Sequence, residues 1–324
     1  MKAIVCTKFA PVEELQFQEL PDPVAQSGEV VIDLKACGVN FPDGLLVQGL
    51  YQSQPDFPFI PGTEAAGVVS ELGEGVTNLK IGNRVIAVAR LGMFASKAVV
   101  NAHFAFPIPD QIPFEEAAGL VTAHATAHHA LKQRANLQPG ETLLVTGAAG
   151  GTGLAAVQIG KAMGAKVIAV CSTQEKIDLA VANGADESIN YVENDLKSEI
   201  KRLTDGQGVD VAYEVVGGDA FAAVSRGMAW NGRLLVIGFA SGTIPKLPIN
   251  LALVKGYALV GVFWGAWTQR DPKGFMQNMQ ELVTWYLQGK VKVHVDEIIA
   301  LENTANALNK VLNRKTKGKV ILRP

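Results

Sequence analysis

From about residue 143 to 262, short apolar runs alternate with stretches whose apolar residues recur at helical spacing. The runs are LLVT, KVIAVC, DESIN, VDVAYEVV, GRLLVIGF and YALVGVF, and helices are predicted between them at about 153–164, 174–183, 195–204 and 219–229. Strands separated by crossovers of this length pair in parallel, and the helices then cover both faces of the sheet. Residues 1 to about 122 follow a different pattern. GEVVIDLKACGVN, TEAAGVVSELG, GNRVIAV and FASKAVVN read as short strands separated by Gly, Pro and Asn turns, which predicts a β-rich domain. Pro107, Pro109 and Pro113 mark a linker, after which FEEAAGLVTAHATAHHALKQ turns helical. Beyond Trp267 the pattern is helix (275–288), strand (about 293–299), helix (301–313) and strand (319–322). That tail is too short for a core of its own and is expected to pack on the β-rich domain. The expected fold is α/β: a doubly wound parallel sheet at 123–264, inserted in a β-rich domain of 1–122 plus 265–324.

The first strand of the parallel sheet runs directly into a glycine cluster, LLVTGAAGGTG, and then into the helical AAVQIGKAMGAK. Glycines stand at 147, 150, 151 and 153, and Ala148 takes the first glycine of a G-x-G-x-x-G spacing. A pyrophosphate needs backbone N–H groups with no Cβ in the way and the positive end of a helix dipole. This strand, turn and helix supply both, so Ala149, Gly150, Gly151, Thr152 and Gly153 are candidate dinucleotide contacts and the domain is a candidate Rossmann unit. The plain alternative is a tight structural turn.

In such a unit an acid after the second strand binds the ribose 2′-hydroxyl of NAD. Here KVIAVC is followed by Ser172, Thr173, Gln174, Glu175 and Lys176, so the acid is missing and two hydroxyls and a lysine replace it. Ser172, Thr173 and Lys176 suit a 2′-phosphate, which favours NADPH over NADH. The same two hydroxyls also suit capping of the next helix. Gly238 and Phe239, after the fifth strand, fall in the crevice where a nicotinamide binds, and Phe263 and Trp264 end the sixth strand.

Composition narrows the partners. Lysine plus arginine (29) nearly balance aspartate plus glutamate (31) in 324 residues, so no global basic field exists to hold nucleic acid or an anionic membrane. The N-terminal MKAIVCTKFAP reads as a first strand and not as a leader, which makes the cytoplasm the expected location. Leu251–Trp267 is the most apolar stretch, but Lys255 and its glycines interrupt it, and a buried strand with its approach is expected there. Cys6, Cys37 and Cys171 are three, far apart, and imply no disulfide framework. His124, His128 and His129 have helical metal-ligand spacing, but no carboxylate or cysteine lies near them in sequence, so aromatic packing is the expected role.

The chain resembles the medium-chain dehydrogenase/reductase superfamily, specifically its zinc-free, zeta-crystallin-like quinone oxidoreductase branch. The segments that carry this are GEVVIDLKACGVNFPDGLLVQGLY, PFIPGTEAAGVVSELGEGVTNLKIGNRV, PFEEAAGL, LQPGETLLVTGAAGGTGLAAVQIGKAMGAKVIAV and KGKVIL. The resemblance implies a GroES-like β domain around the Rossmann domain. Zinc enzymes of this architecture hold catalytic zinc with a cysteine and a histidine, where this chain has Asn40 in CGVN and Thr63 in PGTE. Neither is a good zinc ligand, so metal-free chemistry is expected.

By the same resemblance, Asn40 lies near nicotinamide and substrate, and Asp43 is a structural hydrogen-bonding residue of that loop. Thr126 stands beside the nicotinamide ribose or amide, Tyr191 flanks the adenosine phosphate, and Arg314 reaches the phosphates. Arg314 also reads as a solvated charge with Lys315, Lys317 and Lys319 as exposed neighbours. Tyr51, in QGLY, matches a tyrosine that helps protonate or orient substrate in related enoyl thioester reductases; lining the site is its plain alternative. The expected activity is NADPH-dependent reduction of a quinone, with an enone or 2-enoyl thioester as the alternative acceptor. A non-catalytic nucleotide-binding module is the remaining reading. A homodimer is expected through YALVGVFW, an apolar strand at the sheet's end.

Overall fold

The computed structural model describes all residues, Met1–Pro324, which fall into two compact units: Met1–Thr122 with Val293–Pro324, and Ala123–Lys292. In the first unit the chain forms β1 (Lys2–Val5), β2 (Gln16–Glu19), β3 (Glu29–Val39), α1 (Phe41–Val47), β4 (Glu64–Leu72), β5 (Arg84–Val88), β6 (Lys97–Asn101), β7 (Ala105–Pro107) and α2 (Phe114–Leu120). The second unit opens on a helical stretch, with α3 (Thr126–His129) flanked by π-helical turns at Val121–Ala125 and Ala130–Arg134. It continues as β8 (Thr142–Thr146), α4 (Gly151–Ala162), β9 (Lys166–Cys171), α5 (Gln174–Ala182), β10 (Glu187–Asn190), α6 (Leu196–Leu203), β11 (Val209–Glu214), α7 (Gly218–Arg226) and β12 (Met228–Val236). Then come α8 (Asn250–Lys255), β13 (Ala258–Gly261), α9 (Trp264–Arg270) and α10 (Pro272–Leu287), before β14 (Val295–Ala300), α11 (Thr304–Leu312) and β15 (Lys319–Arg323) complete the first unit.

The second unit holds a six-stranded parallel sheet in the order β10-β9-β8-β11-β12-β13. The order reverses between β8 and β11, which makes a crevice at their carboxyl ends. Strands β8 and β9 are apolar almost throughout because helices cover both of their faces. Helix α4 is buried from Gly153 to Gly160 and lies close on β8, since a Cβ at Gly160 would come within 2.3 Å of Leu143.

The first unit holds a seven-stranded sheet, β14-β15-β3-β4-β5-β7, with β6 paired to β3. Strand β3 is its spine, antiparallel to β4, β6 and β15. Its apolar residues Val30, Ile32, Leu34 and Cys37 join Val69, Val85, Met93, Phe94, Val320 and Leu322 in one core.

Two expectations are corrected here. The chain returns to the first unit at Val293 and not at 265. Helix α10 stays with the second unit because Asn278 bonds Gln133 (2.9 Å) and Glu281 bonds His128 (2.8 Å) on the helical stretch that opens that unit. Leu251–Trp267 is apolar but not a buried strand: α8 has no buried residue, with Leu253 82% exposed, and Leu259 (46%) on the edge strand β13 and Phe263 (60%) just after it are exposed.

The glycine turn yields a test. A Cβ at Gly153 would lie 2.2 Å from the Gly147 carbonyl oxygen, a backbone atom with nowhere to go, whereas one at Gly150 would meet the same oxygen at 3.4 Å. Gly153→Ala should lower the melting temperature, equivalent to about 1–3 kcal/mol of overpacking. Gly150→Ala should leave it unchanged within error; equal melting curves for the two variants would contradict this reading of the turn.

Candidate functional site

Most of the expected nucleotide contacts sit on turns at the carboxyl ends of the parallel strands. Gly147 has φ +59°, a left-handed conformation that lets β8 reverse into the turn. Gly150 caps α4, and the N–H groups of Gly151, Thr152 and Gly153 in its first turn have no acceptor within the helix. Ala149 is buried, so only its backbone is at hand. The Thr152 hydroxyl is already engaged, 2.6 Å from the Tyr213 hydroxyl and donating to the Ala123 carbonyl at 3.3 Å.

Beyond β9, Ser172 is half-buried, and the exposed Thr173 caps α5 by accepting the Lys176 N–H at 3.4 Å. Tyr191, 40% exposed, is held beside the same turn because its N–H donates to the Cys171 carbonyl at 3.1 Å. The Cys171 thiol is pushed up to about 11 by burial, partly opposed by hydrogen bonds from Ala149 and Ala148, and is inert at neutral pH. Gly238 and Phe239 follow β12 in a loop pinned to the end of β11, where Ala240 N–H donates to Val215 O (2.9 Å) and Ser241 N–H to Val216 O (2.8 Å). Thr126 opens α3 and is half-buried. Trp264 departs from the expected set: its ring is buried, edge-on to Phe275 at 5.7 Å, which leaves Phe263 as the exposed residue of the pair.

The sequence reading missed Glu214. It ends β11 at the switch point, fully buried, and accepts hydrogen bonds from the Thr146 hydroxyl (3.1 Å) and the N–H groups of Val216 (2.9 Å) and Gly217 (3.0 Å). Burial holds its pKa above the ordinary carboxylate value, against the pull of those donors. The only signal in the sequence is an acid near the end of a mostly apolar run, VDVAYEVV.

Two of the three histidines pack against aromatic rings, with one correction. His129 stacks on Trp267 at 4.0 Å and His128 meets Trp285 edge-on at 5.3 Å, but His128 also has a carboxylate partner, Glu281, brought in by α10. Burial drives the His128 pKa down to about 4 despite that carboxylate. No group of three or more His, Cys, Asp or Glu side chains is placed to hold a metal ion.

A second cluster lies in the first unit, where β3 ends. Asn40 caps α1, its N–H donating to Asp43 Oδ2 at 2.8 Å. Its carboxamide is bonded at both ends: Nδ2 donates to Glu64 Oε1 (2.8 Å) and Oδ1 accepts from Lys319 Nζ (2.8 Å). Lys319 also donates to Glu64 Oε1 (2.7 Å) and the Val39 carbonyl (3.0 Å), and Thr122 N–H donates to Glu64 Oε2 (2.7 Å). Glu64 is 0% and Lys319 4% exposed, so Lys319 is not the solvated neighbour its basic run suggested. Arg314 is exposed at the turn after α11, with φ +57° and its N–H donating to the Val311 carbonyl.

Tyr51 is half-buried against the same core as Leu46 and Val47, and burial, then the nearby Asp43 carboxyl, raises its pKa. The phenol is therefore a neutral donor at physiological pH. Asp43, 1% exposed, is pushed up to about 7 by burial, helped by Glu64 and opposed by the Asn40 N–H and Lys319.

The Asp43 shift has a definite sign. Between its unfolded value of about 3.9 and its folded value of about 7, the unfolded chain has lost the proton that the native chain keeps, so stability falls as pH rises through this window. Asp43→Asn keeps an oxygen to accept the Asn40 N–H and cannot ionise. Its melting temperature relative to the wild type should rise steadily from pH about 4 to about 7. A constant difference across that range would show that Asp43 does not titrate as described.

Comparison with known proteins agrees with this arrangement. Residues 26–110 match the family described as alcohol dehydrogenase GroES-like domain, and residues 151–281 that described as zinc-binding dehydrogenase. The chain is 39% identical over 323 residues to quinone oxidoreductase-like protein 2 of Rattus norvegicus, covering 99% of this chain and 91% of the relative. A quinone oxidoreductase of Pseudomonas syringae superposes with a TM-score of 0.94 at 31% identity, covering 100% of this chain and 99% of the other. The Escherichia coli quinone oxidoreductase complexed with NADPH gives 0.93 at 31% identity, with 100% of both chains covered. The turns at the carboxyl edge of the parallel sheet, the two matching family models and relatives of this identity and coverage place the chain in the zinc-free quinone oxidoreductase branch of the medium-chain dehydrogenase/reductase superfamily.

Proposed function

We propose that the chain is an NADPH-dependent oxidoreductase that reduces a quinone without a metal. The observation that carries this reading is the turn after β9, where Ser172, Thr173 and Lys176 stand in place of a ribose-binding acid, beside an α4 start with no Cβ in the way. The residues fit the cofactor: the N–H groups of Gly151–Gly153 suit its pyrophosphate, and Lys176 with Ser172 suits the 2′-phosphate. Tyr191 and Arg314 are proposed to contact the adenosine phosphates, and Thr126, Gly238, Phe239 and Phe263 the nicotinamide half. Bound NADPH supplies a hydride to an electron-poor acceptor. Asn40 and Tyr51 each offer an uncharged N–H or O–H to the acceptor oxygen on which negative charge develops. A neutral phenol is also a proton donor, which keeps an enone or enoyl thioester as the second reading.

The chain is proposed to act as a homodimer through β13. That strand bonds only β12 within the chain, and Trp230, Ile249, Leu253, Val254, Leu259 and Phe263 are exposed in its neighbourhood. No helix is long and apolar enough to cross a membrane, and a small-molecule substrate in the cytoplasm remains the proposal.

Steady-state kinetics with a panel of quinones, enones and enoyl thioesters, run with NADPH and with NADH, tests the reading. NADPH should be preferred and a quinone turned over; preference for NADH would overturn the role of Lys176. Tyr51→Phe should lower turnover of enoyl substrates by about tenfold without changing NADPH affinity. Unchanged turnover would remove Tyr51 from the chemistry. Light scattering at micromolar concentration should give twice the chain mass, and a monomer would sink the dimer through β13.

A further inference from the structure

The strand register brings three distant residues to one point. Strand β3 pairs Gly38 with Glu64 on β4 and Val39 with Val320 on β15, so Glu64 and Lys319 arrive on the two strands that flank the end of β3, where Asn40 begins the loop. We propose that Lys319 and Glu64 are positioning residues that lock the Asn40 carboxamide in one orientation and so decide which of its atoms meets an acceptor. The proposal rests on the reading that Asn40 faces the acceptor.

A carboxamide has two ends of nearly equal size, and only its hydrogen bonds distinguish them. Here Oδ1 faces an ammonium, which can only donate, and Nδ2 faces a carboxylate, which can only accept. Turning the amide over would set NH2 against NH3⁺ and C=O against COO⁻, replacing two attractive contacts by two repulsive ones. Asn40 is thereby left with one N–H to offer.

The surroundings are built to hold this pair. A Cβ at Gly38 would lie 2.5 Å from Glu64 Oε1 and 2.4 Å from the Ala118 carbonyl oxygen, and one at Gly119 would lie 3.3 Å from Lys319 Cγ. The Thr122 N–H takes the second carboxylate oxygen, so Glu64 cannot swing away without leaving that donor unpaired. The remaining charged or titratable neighbour, Asp43, bonds the Asn40 backbone and leaves the carboxamide to Lys319 and Glu64.

The test combines kinetics with a direct view of the amide, in the full-length protein. In a double-mutant cycle of Asn40→Ala and Lys319→Met, with NADPH and 1,4-benzoquinone as the probe, Lys319→Met should lower kcat about tenfold with the KM for NADPH within about twofold. In the Asn40→Ala background the same change should alter kcat by less than about twofold, because the residue it acts through is gone. An equal loss in both backgrounds would overturn the proposal. Side-chain amide NMR should show one of the two Asn40 Nδ2 protons protected from exchange, the signals being identified by their loss in Asn40→Ala, and that protection should fall about tenfold or more in Lys319→Met. Unchanged protection would also overturn it. Should Lys319→Met not fold, Glu64→Gln/Lys319→Met removes the buried charges together and takes its place in both arms. If Asn40→Ala has full kcat while protection is lost in Lys319→Met, the lock stands and the reading of Asn40 as an acceptor contact fails.

Discussion

The first unit depends on the buried ion pair between Glu64 and Lys319. Two opposite charges with almost no solvent exposure stand at the start of β4 and the start of β15, one on each side of β3. Such a pair adds little net stability compared with apolar residues, but losing one partner strands the other charge and costs about 3–5 kcal/mol. It therefore acts as a register key. A slip of β15 by one residue would turn Lys319 to the other face of the sheet and leave Glu64 without its counter-ion. The pair ties the last strand of the chain to a loop whose residues lie 279 positions earlier.

In the second unit the corresponding constraint is backbone proximity. Gly153 packs on the Gly147 carbonyl and Gly160 packs on Leu143, so α4 can lie against β8 only where no Cβ intervenes. That closeness aims the first turn of α4 at the crevice between β8 and β11. Glu214 completes the arrangement from the other strand, its carboxylate gathering Thr146, Val216 and Gly217 and fixing the two strand ends against each other. Both units thus place a buried carboxylate behind their candidate site, and in both it organises groups around the site without facing solvent.

Much of this was legible in the sequence because it rests on local rules. The parallel strands are apolar runs and their helices lie between them, so β8 to β12 and α4 to α7 fall within a few residues of their expected positions. The glycine turn could be read because its chemistry needs contiguous residues. What could not be read depends on partners far along the chain. Helix α10 looked like part of the tail because Gln133 and His128, which hold it, precede it by 145 and 153 residues. Lys319 looked solvated because its neighbours are basic, yet strand alternation turns it inward to an acid 255 residues away. The stretch from Leu251 to Phe263 misled in the opposite direction: its hydrophobicity predicts burial, but the chain itself does not cover Leu253, Val254, Leu259 or Phe263.

The same geometry gives a physical account of Asn40, which by resemblance stands where zinc enzymes of this architecture place a ligand. An amide is a poor metal ligand and, left alone, a floppy hydrogen-bonding group. At this position a cation is nevertheless within one hydrogen bond, as the Lys319 ammonium on Oδ1. Its charge is balanced by Glu64, so the pair orients the amide without presenting a bare positive site. On the proposed reading, an acceptor carbonyl approaching Asn40 meets an oriented, uncharged N–H that can hydrogen-bond its oxygen as charge builds there. Such a donor is consistent with the proposed electron-poor acceptor, whereas oxidation of a simple alcohol calls for an alkoxide stabilised by full charge.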